Sequence, residues 1–253
     1  MQLSNRLEGR ENITIVIPVR NEEGCIVQSL QLLQSKVTVP YFVIVVDGCS
    51  TDKTVALTRA YIKQNKNVSI ILTTPETSGF KDSIDIGIAH TTTSHVVVMM
   101  GDLCDDPVTI NEMYSKVREG ADVIIGSRYM RGGLKVGEPK IQGLISRTVN
   151  KTLYFLTGIP THDASNPFKM YRKALLNSIK TESKGNEIPI EVIFKAYFRG
   201  AKIEEVPTVW RGRKSGKSKF KMLKVAPGYA RLYVWALINS WRFQLAKLIS
   251  PSF

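Results

Sequence analysis

Four short apolar runs, Ile13 to Pro18, Tyr41 to Val46, Val68 to Thr73 and Val96 to Met100, set the first limit on how this chain can fold. They are largely continuous rather than alternating, as expected of strands buried on both faces of a parallel sheet. A fifth β-rich run, Val123 to Gly126, follows, and helical segments fall between them at about Glu22 to Leu33, Asp52 to Gln64, Phe80 to Ala89 and Pro107 to Glu119. Strand alternating with helix predicts an α/β fold with right-handed βαβ units in an open, doubly wound, mostly parallel sheet. Pro18 is expected to end the hydrogen bonding of the first strand. Ser50-Thr51-Asp52 and Asp105-Asp106-Pro107 read as helix starts. Both lie where a strand hands over to its helix, at the carboxyl edge where open α/β sheets bind ligands.

With 253 residues the chain suits one large domain and a short appendage rather than two full domains. The composition shifts at the basic stretch Arg211 to Lys224, which places the division at 1–205 and 206–253. A formal net charge of +13 favours anionic partners: phosphates, nucleic acid or an acidic membrane surface. Cys25, Cys49 and Cys104 are odd in number and widely spaced, so neither a disulfide framework nor a zinc site is indicated, and a reducing cytoplasm is expected. Met1 to Asn12 lacks the apolar core of a signal peptide, and no run of about 18 uncharged apolar residues marks a membrane span. Any membrane contact is therefore expected from the side, at the cytoplasmic face.

The first strand runs into Pro18-Val19-Arg20-Asn21-Glu22-Glu23 and not into G-x-G-x-x-G, which removes the main support for a dinucleotide-binding Rossmann site. Glu22 can accept from ribose hydroxyls, although acids also gather at helix starts because of the helix dipole. Asp47 leaves the second strand with no routine capping duty, whereas Ser50 and Asp52 are better explained as caps. After the fourth strand, Asp102, Asp105 and Asp106 stand within five residues. Hard divalent cations such as Mg²⁺ or Mn²⁺ take one or two carboxylates plus phosphate oxygens, and Asp102, nearest the strand, is the best candidate.

In this order the motifs resemble family 2 of the inverting glycosyltransferases, most closely the dolichyl- or polyprenyl-phosphate mannose synthases, over nearly the whole chain. Val16-Ile17-Pro18-Val19-Arg20-Asn21-Glu22 is similar to the family's V-I-P-x-x-N-E, and Val46-Asp47-Gly48-Cys49-Ser50-Thr51-Asp52-Lys53-Thr54 to V-D-D-G-S-x-D-x-T, with Gly48 at the second Asp. The resemblance implies the Rossmann-like GT-A fold and a nucleotide pocket lined by Pro18, Arg20, Glu22 and Asp47. The family's metal-holding D-x-D falls on Met100-Gly101-Asp102. Its first acid is absent, and Asp105 is the candidate to supply the missing charge. Gly126 to Gly133 resembles G-S-R-Y-x-x-G-G, whose glycines are expected to admit a ligand to the backbone and whose Arg128 is expected to fork onto phosphate. Asp163 to Lys169 resembles D-x-x-S-G-F-R, with Asp163 either facing the donor sugar or fixing its loop. Arg213 to Lys219 is similar to R-x-x-G-x-S-K, so Arg213, Ser218 and Lys219 are expected to capture acceptor phosphate, with Asp102, Arg128, Asp163, Arg213 and Lys219 as the catalytic set.

Beyond that loop Leu223, Ala226, Ala230, Tyr233, Leu237, Trp241 and Leu245 recur at helical spacing, with Lys221, Lys224, Arg231, Arg242 and Lys247 among them. This is a basic amphipathic helix suited to an anionic membrane surface, or else a stripe packed on the domain. The expected partners are a nucleotide sugar, GDP-mannose or a UDP-hexose, and a polyprenyl phosphate. Nucleic acid is disfavoured because the basic loop lacks interleaved aromatics for stacking. Two alternatives stand beside this one: a saccharide-hydroxyl acceptor, with Asp163 or Glu191 as the required base, and a non-catalytic nucleotide-binding module.

Overall fold

A computed structural model describes residues 12–137, 139–213 and 222–249. Seven strands form one sheet in the order β3-β2-β1-β4-β7-β5-β8. β1 (Ile13–Val19), β2 (Tyr41–Asp47), β3 (Val68–Leu72) and β4 (His95–Val98) run parallel, as do β5 (Val123–Ser127) and β8 (Ile203–Pro207). β7 (Lys169–Arg172) lies antiparallel between β4 and β5. A two-stranded parallel ribbon, β6 (Leu134–Val136) with β9 (Val209–Arg211), stands beside the sheet. The division expected near Val206 falls within β8.

Both faces of the sheet are covered, which is why the early strands read as continuous apolar runs. Ile13, Ile15, Ile17 and Val19 of β1 pack on one side with α1 (Ile26–Lys36), α2 (Thr54–Ile62) and α4 (Thr109–Arg118). Val16, Val46, Val96 and Val98 face the other side, toward α3 (Phe80–Ala89), α5 (Lys140–Thr157), α6 (Lys173–Ser178), α7 (Ile188–Tyr197) and α8 (Met222–Ile249). Pro18 does not stop the first strand. β1 continues to Val19, whose carbonyl accepts the Gly48 N–H, and Met99 N–H reaches past the proline to the Val16 carbonyl.

α8 corrects the expected stripe. Among its described side chains Leu232, Ala236 and Ser240 are buried, whereas Ala226, Ala230, Trp241 and Leu245 are exposed and Tyr233 and Leu237 half-buried. The side chains of Leu223, Lys224 and Lys247, and all of Lys221, lie outside the described residues. Among the described residues no helix is long and apolar enough to cross a membrane.

β1 sits between β2 and β4, so successive connections leave it in opposite directions and open a crevice at the carboxyl edge. α3 closes on β1 only because residue 87 is glycine: a Cβ there would stand 2.3 Å from Val16 Cγ1. Gly87→Val is expected to lower unfolding free energy by roughly 1–3 kcal/mol or more through overpacking. Urea denaturation checks this, and an unchanged midpoint would contradict the packing described.

Candidate active site

The loops after β1 and β2 are laced together by side chain to backbone hydrogen bonds. Asn21 N–H donates to Ser50 Oγ (2.8 Å), Thr51 N–H to Asn21 Oδ1 (2.8 Å) and Glu22 N–H to Thr54 Oγ1 (2.8 Å). Glu23 N–H donates to Asp52 Oδ2 (3.1 Å), and Lys53 N–H returns to Glu23 Oε2 (2.9 Å). The N-cap of α2 is Lys53, without a side-chain cap, so Ser50 and Asp52 join two loops instead of capping as expected, Asp52 Oδ1 accepting the Thr54 N–H (2.9 Å) just before the helix. Asn21, Cys49 and Leu103, one in each of the loops after β1, β2 and β4, have positive φ of 55°, 59° and 61°. Cys49 occupies the position of the family's glycine. Such conformations cost about 1 kcal/mol or more each and persist only where surrounding contacts enforce them.

Inside this lacework Asp47 is almost fully buried. Its Oδ1 accepts the Ser50 N–H (2.9 Å), while Oδ2 is buried without a partner. Pro18 is buried and Arg20 exposed on either side of Val19. Glu22 and Asp102 arrive from different strand ends and share one cation: Arg213 Nη2 donates to Glu22 Oε1 (2.7 Å), and Nε to Asp102 Oδ2 (3.0 Å). The β9 segment brings Arg213 over the edge, with Arg211 N–H on the Cys104 carbonyl and Gly212 N–H on that of Val136. Ser218 and Lys219 lie outside the described residues.

The loop leading into β7 returns to the same edge because β7 is antiparallel. Asp163 is fully buried there, and Arg128 is only 8% exposed. Arg128 Nε donates to Asp163 Oδ2 (2.7 Å), Nη2 to Oδ1 (2.8 Å), and the Arg128 backbone N–H to Oδ2 (3.0 Å). Burial alone would raise the carboxyl, but the guanidinium and these hydrogen bonds hold it below its usual range. The fork expected to take phosphate is thus engaged with Asp163. Between the two uses weighed for Asp163, the geometry corresponds to fixing a loop. Gly133 likewise admits the protein's own chain, since a Cβ would lie 2.3 Å from the Ser127 carbonyl oxygen.

Several contributors escaped the sequence reading. Lys169, fully buried, donates through Nζ to the carbonyls of Ala164 (3.0 Å) and Asn166, and burial lowers its pKa to about 7. Asn150 of α5 donates to Ser165 Oγ (2.8 Å) and accepts the Ser165 N–H (3.1 Å). Lys169 closes the segment resembling D-x-x-S-G-F-R, a basic position whose burial the motif does not reveal, and a lone Asn carries no motif at all. Glu191, the other candidate base, is also engaged: its oxygens accept the N–H groups of Glu182 and Ser183 (2.8 Å each), and Lys195 Nζ lies 2.6 Å away. Burial would raise it, yet these partners hold it low.

Among the described residues no group of three or more His, Cys, Asp or Glu forms a metal cluster. Two carboxylates suffice for Mg²⁺ or Mn²⁺ when phosphate and water complete the shell. Asp105 is nearly buried, receives the Met100 N–H and leaves Oδ1 without a partner, so this oxygen suits a cation alongside Asp102. Burial first, and the charge of Asp102 second, raise Asp105 from 3.8 to about 7. The unfolded carboxyl ionises near 3.8 and the folded one near 7, so stability is full below about pH 4 and falls as pH rises to 7. Asp105→Asn is expected to remove that slope, raising stability at pH 8 by about 1–4 kcal/mol and leaving it unchanged near pH 3.5. Thermal melts across pH check this; an equal difference at both pH values would refute it.

Comparison with known proteins now fits this geometry. Residues 14–180 match Glycosyl transferase family 2. The chain is 29% identical over 147 residues to polyprenol monophosphomannose synthase of Mycolicibacterium smegmatis, covering 57% of this chain and 56% of that protein. It is 27% identical over 249 residues to dolichol-phosphate mannosyltransferase of Pyrococcus furiosus, covering 95% of this chain and 67% of that one. In fold it is similar to glucosyl-3-phosphoglycerate synthase of Mycobacterium tuberculosis, solved with Mn²⁺, UDP and glucosyl-3-phosphoglycerate. The TM-score is 0.67 at 17% identity, over 93% of this chain and 81% of that one. The motif residues gathered at the carboxyl edge of the sheet agree with the sequence match, and the chain belongs to glycosyltransferase family 2.

Proposed function

We propose that this glycosyltransferase moves a sugar, with inversion, from a nucleotide sugar to a polyprenyl-type phosphate at a membrane surface. The observation that carries this reading is that both carboxylates expected to serve as base for a hydroxyl acceptor are engaged, Asp163 by Arg128 and Glu191 by Lys195 and two backbone N–H groups. A phosphate acceptor is already anionic and needs positioning and charge neutralisation instead of deprotonation. The Mycolicibacterium smegmatis and Pyrococcus furiosus relatives described above are each named for a prenol-type phosphate.

In this reading Pro18, Arg20, Glu22 and Asp47 hold the nucleotide, with the unpartnered Asp47 Oδ2 accepting from base or ribose. Asp102 and Asp105 would hold Mg²⁺ or Mn²⁺, which when bound neutralises charge on the leaving nucleoside diphosphate. Arg128 acts through Asp163 as a positioning residue. Arg213, with Ser218 and Lys219 of the basic segment, meets phosphate. A second reading, transfer to a hydroxyl, is favoured by Asp105, whose free oxygen and pKa of about 7 suit a general base.

The region after residue 205 would face the acceptor and the cytoplasmic side of the membrane. α5 and α8 touch through Gln244 Nε2 and the Thr157 carbonyl (3.0 Å), and together they leave apolar side chains outward. These include Ile141 (72% exposed), Leu144 and Phe155 (69%) of α5, with Val234, Ile238 and Trp241 (66%) of α8. Exposed Arg147, Lys151, Arg231 and Arg242 flank them. Apolar side chains rimmed by basic ones suit anionic headgroups.

Arg213→Ala is expected to lower glycolipid formation from polyprenyl phosphate roughly 30-fold or more, as removal of a desolvated ionic partner costs about 2–5 kcal/mol. Assays crossing GDP-mannose and UDP-glucose with polyprenyl phosphate, 3-phosphoglycerate and a saccharide measure it. Transfer to the saccharide or to phosphoglycerate without glycolipid would reject the reading. For the membrane, Trp241→Glu or Phe155→Glu should weaken binding to phosphatidylglycerol vesicles at least about 10-fold, given about 1.5–3 kcal/mol per buried aromatic. Wild-type affinity should fall with salt. Unaltered vesicle binding by both variants would remove these helices from the contact.

A further inference from the structure

Arg213 stands where acids from two strand ends converge, and its position is fixed by the fold before any ligand arrives. Glu22 is pinned by its own N–H on Thr54 Oγ1, and Asp102 by its Oδ1, which accepts the Cys104 N–H (3.1 Å). Glu22 is 9% and Asp102 13% exposed at the side chain, so water screens their repulsion poorly. Asp105 adds a third carboxylate near enough for Asp102 to raise its pKa. The guanidinium lies between the first two, and their hydrogen bonds and charges raise its own pKa against the opposing effect of burial.

The oxygen that Arg213 holds, Asp102 Oδ2, belongs to the single acid left in the D-x-D position, since Met100 replaces the first. A divalent cation on Asp102 and the guanidinium therefore draw on the same carboxylate. We propose that Arg213 is the resident counter-ion of this acid cluster and exchanges off Asp102 when a divalent cation is bound. The released guanidinium keeps its donors and stands at the head of the basic segment, so the same event turns an internal ion pair into a phosphate ligand. The proposal rests on the functional reading above only for the kind of cation, and it needs neither donor nor acceptor for its test.

The sign of one effect separates this role from the plainer ones. A resident counter-ion raises the cost of cation binding, so its removal strengthens binding. An arginine that only awaits phosphate would leave nucleotide-free metal affinity unchanged, and one that only braces the site would weaken it when removed.

Mn²⁺ is titrated into the full chain without nucleotide, and free Mn²⁺ is read by electron paramagnetic resonance. Arg213→Gln is expected to bind about tenfold more tightly than wild type, the equivalent of about 1.4 kcal/mol, with Asp102→Asn abolishing binding. A second measurement uses unaltered protein, so it does not depend on the variant folding. Mn²⁺ should accelerate phenylglyoxal modification of Arg213 severalfold, read by peptide mass spectrometry against exposed Arg59. Equal or weaker Mn²⁺ affinity in Arg213→Gln, no binding by either protein, or Arg213 labelling indifferent to Mn²⁺ overturns the proposal. Loss of glycolipid synthesis alone would instead bear on the acceptor.

Discussion

The buried pair Arg128–Asp163 is the interaction on which the site's architecture turns. It joins the end of β5 to the loop that leads into antiparallel β7, bridging the parallel strands on either side. Burying two charges costs several kcal/mol each, and only good geometry with further hydrogen bonds offsets that cost. Here the geometry is bidentate, a backbone N–H adds a third bond to the carboxylate, and Ser165 lies against both partners. Lys169 supports the same loop from below through backbone carbonyls. Removing either partner would leave an uncompensated buried charge, typically a loss of about 3–5 kcal/mol. This loop also carries the hydrogen bonds between Ser165 and Asn150, so α5, whose outer face is apolar, is anchored to the same core of charge.

How much of this was legible depended on whether a residue's task leaves a periodic or spaced trace. β1, β2 and β4 were readable because burial on two faces demands uninterrupted Val and Ile, whereas β3 is an edge strand with only Val68 buried, despite its equally apolar run; α3 coincided with its expected span. β6 and β9 have three residues each and half-exposed or exposed faces, too short to show a period. α8 misled because it is apolar on two sides: one meets the core through Leu232 and Ala236, and the other stays outside. The helix period alone does not tell them apart. Motif acids such as Asp47, Asp102 and Asp163 were legible from their spacing, and the structure places all three at the carboxyl edge of the sheet, Asp47 at the end of β2 and the other two in loops. Their partners were harder: Asn150 is defined by the Ser165 groups it meets and not by spacing, and the motif position of Lys169 does not show that its ammonium is buried on backbone carbonyls. Pro18 was misread since a proline within a strand usually breaks it, yet here neighbouring N–H groups bridge the gap.

The charge distribution gives the functional reading its physical sense. The chain carries a net +13, yet the floor of its crevice collects Glu22, Asp47, Asp102 and Asp105. A nucleoside diphosphate is itself anionic, so its approach to that floor is opposed until a cation stands between them. In this structure Arg213 occupies that place, and one positive charge shared by two carboxylates leaves the cluster net negative, with burial and the charge of Asp102 raising Asp105 to about 7. Adding two positive charges at Asp102 and Asp105 would offset that excess and favour ionisation of Asp105. The substitution of Met100 for an acid fits the same balance, for a further carboxylate beside Asp105 would deepen the negative field. The acids thus exceed what one arginine can balance, and the excess is the charge a divalent cation would offset.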